Sequence, residues 1–190
     1  LRSQHEDRLN VLTDELSGQF PDAKVTGRVK DRTEMLKKMA TEPEKYSTVT
    51  DLPDISGARV FASKGSIDEE RSLTKAIKSK YEVVDEKDYL ENPKEGYRAI
   101  HLYVHDNETG INTEIQVRTP NQDRWANYTH DKVYKPTKEM YKISKQNRDV
   151  INNYVTEMSN HYYALDSGRT NVNKPDCPEI VRKTIGCMED

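Results

Sequence analysis

The sequence predicts a small α/β (α+β) domain: a mixed β-sheet with helices packed on it and a helical C-terminus. Three observations lead there. Two neighbouring segments, 99–105 and 111–118, alternate apolar and polar residues with period two. Amphipathic stretches with helical spacing precede them, and from Gln122 onward the pattern is again helical.

In order along the chain, Leu9, Leu12 and Leu16 recur at helical spacing and predict a helix over about 3–17, ended by Gly18 and Pro21. Met35, Leu36 and Met39 make a second helix over 30–40, and Pro43 marks a loop over 41–47. Ile55 to Phe61 reads as a strand, preceded by Pro53 and interrupted by Gly57. Residues 66–80 are helical with Ile67, Leu73 and Ile77 inward, and Asp68, Glu69 and Glu70 stand in the first turn, where the helix dipole favours anions. In the alternating pair, Ile100, Leu102 and Val104 oppose His101, Tyr103 and His105; Thr113, Ile115 and Val117 oppose Asn112, Glu114, Gln116 and Arg118. Residues 107–110 supply a turn, so the two strands form an antiparallel hairpin. Helix then runs on, broken at Pro136, with a last helix over about 137–165 and a loose tail of twenty residues. The expected organisation is an N-terminal helix (1–20), a core (21–136) and a C-terminal helix and tail (137–190), all in one domain.

Composition excludes several classes. No run approaches the roughly 18 apolar residues of a membrane span, and no signal-peptide pattern opens the chain. Lys and Arg number 30 against 33 Asp and Glu, a net charge of −3, which gives no global argument for DNA or other nucleic acid. Two cysteines, Cys177 and Cys187, exclude a disulfide framework and lack metal-like spacing; a single late bridge between them stays open, with nothing in the sequence to support it. A cytoplasmic setting is expected, and the missing initiator Met reads as an excised domain or a processed product.

Chemistry concentrates on the polar faces of the hairpin. A solvated sheet face is the ordinary explanation for one such strand. Two paired strands, however, group a carboxylate (Glu114), an amide (Gln116), a guanidinium (Arg118) and imidazoles (His101, His105). Asp54, at the entry to strand 55–61, is either a turn residue after Pro53 or a second carboxylate able to share Mg²⁺ with Glu114, since that ion takes hard oxygen ligands plus substrate phosphates. Arg28, Lys30, Arg32, Lys37 and Lys38 form either a solvated face, with Lys30, Glu34 and Lys38 in line, or a phosphate cradle. In the stretch Lys94-Glu95-Gly96-Tyr97-Arg98, Gly96 lets the backbone turn and Tyr97 offers a flat face to a base.

Taken in order, these pieces resemble the synthetase domain of the RelA/SpoT family, makers of hyperphosphorylated nucleotide alarmones. The matching residues are Gly27-Arg28-Val29-Lys30 with Lys38, Asp54-Ile55-Ser56-Gly57-Ala58-Arg59, Lys87-Asp88-Tyr89, and Pro93 through His101. Glu114-Ile115-Gln116-Val117-Arg118-Thr119 follows, then Trp125 with His130 and Tyr134-Lys135. The resemblance spans roughly 24–135 and implies a nucleotidyltransferase-like fold. It also implies transfer of the ATP β,γ-pyrophosphoryl group to a nucleotide 3′-hydroxyl, with release of AMP. Asp54 and Glu114 would then hold Mg²⁺, and Glu114 would be the general base. Arg28 would stack on adenine while Lys30, Lys38 and Arg59 hold the ATP phosphates. Tyr97 would stack on the acceptor base, Lys87, Lys94 and His101 would neutralise acceptor phosphates, and Gln116 would orient groups around Glu114.

Two departures from the family pattern stand out. The acceptor loop is one residue shorter than the usual Pro-Lys-x-Asn/Ser-Gly-Tyr and carries Glu95 before the glycine; Glu34 occupies an ATP-facing position often held by a small hydroxyl residue. As acceptor, GDP or GTP giving (p)ppGpp ranks first and adenosine nucleotides giving (p)ppApp second. The tRNA 3′ end ranks last; it would need a basic surface such as Lys132, Lys135, Lys138, Lys142 and Lys145 provide. The non-enzyme alternative is a catalytically silent nucleotide-binding module. No His-Asp hydrolase motif lies within the chain, so synthesis without degradation is expected. A toxin-type relative, acting in the bacterial cytoplasm even if delivered there, would imply an immunity or antitoxin partner. Some small family members are oligomers, though no interface is legible here.

Overall fold

The computed structural model describes residues 1–134 and 138–189, the side chains of 138 and 139 aside. Five strands form one mixed sheet: β1 (Lys24–Val29), β2 (Ser56–Phe61), β3 (Glu82–Asp88), β4 (Ile100–His105) and β5 (Asn112–Arg118), in the order β1-β2-β5-β4-β3. Only the β2–β5 pairing is parallel, with Gly57 opposite Glu114 and Arg59 opposite Gln116. The expected hairpin is present: β4 and β5 run antiparallel with Tyr103 opposite Glu114 and His101 opposite Gln116. Its turn closes through hydrogen bonds between Asp106 and Ile111 and from Gly110 to Asp106, with Gly110 at φ 69°.

Helices α1 (Arg2–Gln19) and α3 (Ile67–Lys80) cover one face of the sheet. There Leu9, Leu12 and Leu16 meet Ala58, Val60, Leu102, Ile115 and Val117, with Ile67 and Ile77, in the main core. The alternation therefore turns Arg59, His101, Tyr103, Glu114, Gln116 and Arg118 to the opposite face. A second core, built largely of aromatic and long apolar side chains, lies beyond it. It joins Trp125 of α4 (Pro120–Thr129) to Ile151, Tyr154, Val155, Met158 and Tyr162 of α6 (Lys145–Asp166). A third, small cluster of Met35, Leu52 and Ile55 seats α2 (Arg32–Thr41).

Local chemistry explains the helix starts. Asp31 caps α2 and Thr119 caps α4, each in a reciprocal capping box with Glu34 and Gln122; Pro120 opens α4. Ser66 caps α3 and Ser144 caps α6.

Four expectations are corrected. Strands β1 and β3 are absent from the periodicity reading because both are edge strands; β3 (Glu-Val-Val-Asp-Glu-Lys-Asp) is charged on both faces, which suits an exposed edge. Lys30 stands ahead of α2 rather than on it, because Asp31 caps that helix. The helix expected over 137–165 is two, α5 (Lys138–Lys142) and α6, parted where Ser144 begins a new cap. The tail is not loose: it carries α7 (Glu179–Thr184) and a Cys177–Cys187 disulfide, and Val181 and Ile185 are buried in the second core. Pro136, the expected break, and Lys135 lie outside the described residues.

Candidate functional site

Two cavities open on the polar side of the sheet. The first, about 320 Å³, is lined by Arg28, Lys30, Asp54, Arg59, Glu114 and Gln116 with the small residues Gly27, Gly57 and Ala58. The second, about 620 Å³, is lined by Tyr89, Lys94, Glu95, Tyr97, His101 and Arg118 from the sheet side, and by residues of α4 and the following π-helical turn, among them Asn127 and His130. Arg28 and Arg59 line both, so the cavities meet along a cationic wall.

In the first cavity, Asp54 just ahead of β2 accepts from Lys30 and from Lys38 Nζ at 2.7 Å. The two cations reach it from different directions, Lys30 from the end of β1 and Lys38 from α2. Arg28 of β1, two residues before Lys30, pairs with Glu34. Glu114 is 8% exposed and accepts three hydrogen bonds: Tyr103 Oη at 2.9 Å, Gln116 Nε2 at 2.7 Å and His101 Nδ1 at 2.9 Å. Burial alone would raise its carboxyl, but the His101 bond and charge, then Gln116 and Tyr103, outweigh it and hold the group at about 2. It is therefore ionised at every physiological pH.

An ionised carboxylate only accepts, so His101 Nδ1 carries its proton toward Glu114. The other ring nitrogen, Nε2, lies 2.6 Å from Tyr97 Oη, which also receives Arg118 Nη2 at 2.7 Å. Arg118, 4% exposed, reaches Gln116 Oε1 at 2.6 Å and Asp123 Oδ1 at 3.0 Å, and Arg59 lies 3.4 Å from that same Asp123 oxygen. A continuous network thus runs from Glu114 through His101 and Tyr97 to Arg118 and Asp123. The solvated-face explanation of β5 fails here, since Glu114 and Arg118 are buried by partners rather than by water.

The structure brings together Arg28, Lys30, Asp54, Arg59, Glu114 and Gln116 in one cavity and Lys94, Tyr97 and His101 in the next. Lys38 joins the first through Asp54. Lys87 does not line either; it sits on edge strand β3 with its ammonium 4.9 Å from the Tyr103 ring centroid. Tyr97 is held edge-on by Tyr89 and His101, with Arg118 5.3 Å from its ring centroid. Sequence reasoning set Tyr103 and Arg118 on the polar face without giving either a specific task, and it passed over Asp123. For Asp123 a signal existed: Thr119-Pro120 starts a helix, which places Asp123 in its first turn beside the end of β5. The glycine of the stretch Lys94 to Arg98 is also explained, because Gly96 has φ +83° and a Cβ there would lie 2.8 Å from Val155 Cγ1 of α6.

The sheet and its helices have the fold of the small alarmone synthetases. Small alarmone synthetase 1 from Bacillus subtilis, in a crystal structure bound to its product pppGpp, superposes with a TM-score of 0.71 at 24% identity, covering 87% of this chain and 90% of that one. A GTP pyrophosphokinase family protein from Streptococcus pneumoniae gives 0.69 at 25% identity, covering 87% of each. The chain belongs to the RelA/SpoT family, whose model, described as the region found in RelA / SpoT proteins, matches residues 27–139. Among relatives, GTP pyrophosphokinase YjbM of Bacillus subtilis (strain 168) is 31% identical over 120 residues, 58% of this chain and 56% of that protein. The uncharacterized protein Rv1366 of Mycobacterium tuberculosis is 29% identical over 129 residues, 65% of this chain and 45% of that protein. The chain thus spans about half the length of the curated relatives it matches. Among the described residues, no helix is long and apolar enough to cross a membrane.

Proposed function

We propose that this chain is a nucleotide 3′-pyrophosphokinase that uses ATP as donor and GDP or GTP as acceptor. The observation that carries this reading is the pair of adjoining cavities that share Arg28 and Arg59, with an ionised, oriented carboxylate at Glu114 in the first. A transfer reaction needs two substrates placed side by side and negative charge neutralised between them, and this geometry supplies both.

ATP occupies the first cavity, with Arg28 against the adenine and Lys30, Lys38 and Arg59 on the phosphates. The acceptor occupies the second, its base against Tyr97 and its phosphates near Lys94. The acceptor 3′-oxygen attacks the ATP β-phosphorus, the bond from that phosphorus to the α,β-bridging oxygen breaks, and AMP departs. The hydroxyl proton passes to Glu114, which Gln116, His101 and Tyr103 hold in position. A carboxylate at about 2 is a weak base, so alignment and charge neutralisation carry most of the rate. Asp54 and Glu114 fit Mg²⁺: both are hard oxygen donors lining one cavity beside the phosphate-binding cations, and that ion is ordinarily held by one or two carboxylates plus substrate phosphates. When bound, Mg²⁺ supplies charge neutralisation on the transferring phosphates. Lys30 and Lys38 now close on Asp54; with substrate present they turn to the phosphates.

His101 has both ring nitrogens engaged, on Glu114 and on Tyr97. Its part in this scheme is to orient those two side chains, and its phosphate contact requires the Tyr97 bond to yield. Lys87 reaches the acceptor phosphates only by leaving the Tyr103 ring.

The test is incubation with Mg²⁺ and β-labelled ATP against GDP, GTP, ADP, ATP and deacylated tRNA separately, with Glu114→Ala as control. Label on a guanosine nucleotide with AMP release is the expected result. Label on an adenosine nucleotide instead would reassign the acceptor, with Glu95 in the shortened loop as the cause. No AMP with any acceptor would overturn the reading in favour of a silent nucleotide-binding module.

A further inference from the structure

The last twenty residues take no part in the scheme above, yet they carry a covalent link. Cys177 and Cys187 are joined by a disulfide, both half-buried at the surface, with α7 between them. Val181 of α7 and Ile185 just past its end enter the second core with Trp125, Tyr154 and Tyr162. Two tethers from α4 end on the same segment: Tyr128 Oη donates to the Gly186 carbonyl, and Arg124 Nη2 donates to the Glu189 carbonyl at 2.9 Å. The other side of α4 contributes Ala126, Asn127 and Thr129 to the second cavity, and α6 supports the acceptor loop through Val155 behind Gly96 and Ser159 on Arg98. A helix of six residues is too short to hold itself. Its seat on the core depends on two buried side chains and on the bond that closes the loop.

We infer that the Cys177–Cys187 bond is a thiol–disulfide exchange site that acts as a clasp on the acceptor half. Reduction by a dithiol releases α7, loosens α4 and α6, and weakens acceptor binding while the ATP cavity stays intact. One thiolate of the dithiol attacks a cysteine sulfur, forming a mixed disulfide and freeing the other cysteine. The second thiolate then attacks the mixed disulfide. Two electrons pass to the protein, both cysteines end as protonated thiols, and the dithiol leaves as a disulfide; a disulfide oxidant reverses each step. The chemistry is pertinent because disulfides persist in oxidising compartments and are transient where ATP-using enzymes ordinarily work. The effect on catalysis rests on the proposed function; the release of α7 does not.

Trp125 is the single tryptophan and lies under the clasp, so the chain carries its own reporter. The full chain is titrated with dithiothreitol while alkylatable thiols, tryptophan emission, melting and both KM values are followed. The expected result is no alkylation before reduction and two labels after it, with Trp125 emission shifted to the red. Melting falls by roughly 5–10 °C. The KM for GDP rises about tenfold if the segment is detached in about nine molecules of ten, and the KM for ATP holds. Re-oxidation restores all four, and the double variant Cys177→Ser with Cys187→Ser matches the reduced protein and ignores dithiol. If that variant does not fold, the reversible titration of the native chain decides. Two alkylatable thiols before reductant, reduction without change in Trp125 emission, or an equal rise in both KM values would each overturn the clasp. If the oxidised chain transfers no label to any acceptor, the functional reading falls, and emission and melting alone decide whether reduction releases α7.

Discussion

The two adjoining cavities are built from different materials. The first is held by ion pairs and hydrogen bonds on and beside the sheet: Asp54 between Lys30, just past β1, and Lys38 of α2, and Glu114 between three donors on β4 and β5. The second is held by packing, with the acceptor loop seated on α6 and α4 seated on an aromatic core. A sheet fixes alternate side chains to within the play of a ladder of hydrogen bonds, which suits reacting groups. A loop leaning on helices can shift by whole side chains, which suits the choice of a partner molecule. Chemistry is therefore expected to break with the first region and selectivity with the second.

The strongest test of that division is Glu114→Gln. It keeps the shape and removes the charge, and AMP release is expected to fall by about 10³-fold or more with secondary structure retained. A loss below about tenfold would place the reacting centre elsewhere. Asp54→Asn follows: Lys30 and Lys38 lose their shared partner, and turnover at saturating acceptor is expected to drop about 10²-fold, read as initial AMP release. In the other region, Gly96→Ala introduces a Cβ 2.8 Å from Val155 at φ +83°. The acceptor KM is expected to rise about tenfold while the KM for ATP holds, since a strained position costs about 1–3 kcal/mol locally. Equal changes in both would show that the halves are not separable.

The smallest expected effect concerns a second buried carboxylate whose state is opposite to that of Glu114. Glu70 of α3 is 0% exposed; its carboxyl accepts from Gln122 Nε2 at 2.7 Å, and among the described residues Oε1 has no partner. Burial pushes its carboxyl up to about 8, overcoming the Gln122 bond, with Asp166 adding to the rise. Native Glu70 holds its proton more tightly than the unfolded chain does. Its contribution is thus complete below about 4.5 and is lost as pH rises through about 8. Melting of the native chain is expected to drop by a few degrees more between pH 5 and pH 9 than that of Glu70→Gln, which cannot ionise. Parallel pH curves for the two proteins would refute the assignment. The contrast between the carboxylates follows from donors: three hold Glu114 charged, and one is too few to do so for Glu70.

Much of the first region was legible in the sequence. The period-two hairpin placed Glu114 and Gln116 on one face, and the hydrophobic alternation forced that face away from the core. The motif order located Arg28, Lys30 and Asp54 although β1 itself has no alternation to read. The second region was legible only in part. Trp125 and Gly96 were noticed, but nothing in their spacing says that one lies under a C-terminal helix and the other against Val155. Asp123 was missed because its partner Arg118 belongs to a different element, and Lys87 was placed by motif although its strand sits at the sheet edge.

By itself the sequence determined the α/β class, the hairpin and the side of the sheet on which the polar residues stand, because period and turn chemistry act over a few residues. Tertiary structure alone decided which charges neutralise one another, which carboxylate stays ionised, and that Cys177 and Cys187 close a clasp on the second core. Those outcomes depend on distance and burial between segments far apart in the chain, and local pattern carries neither.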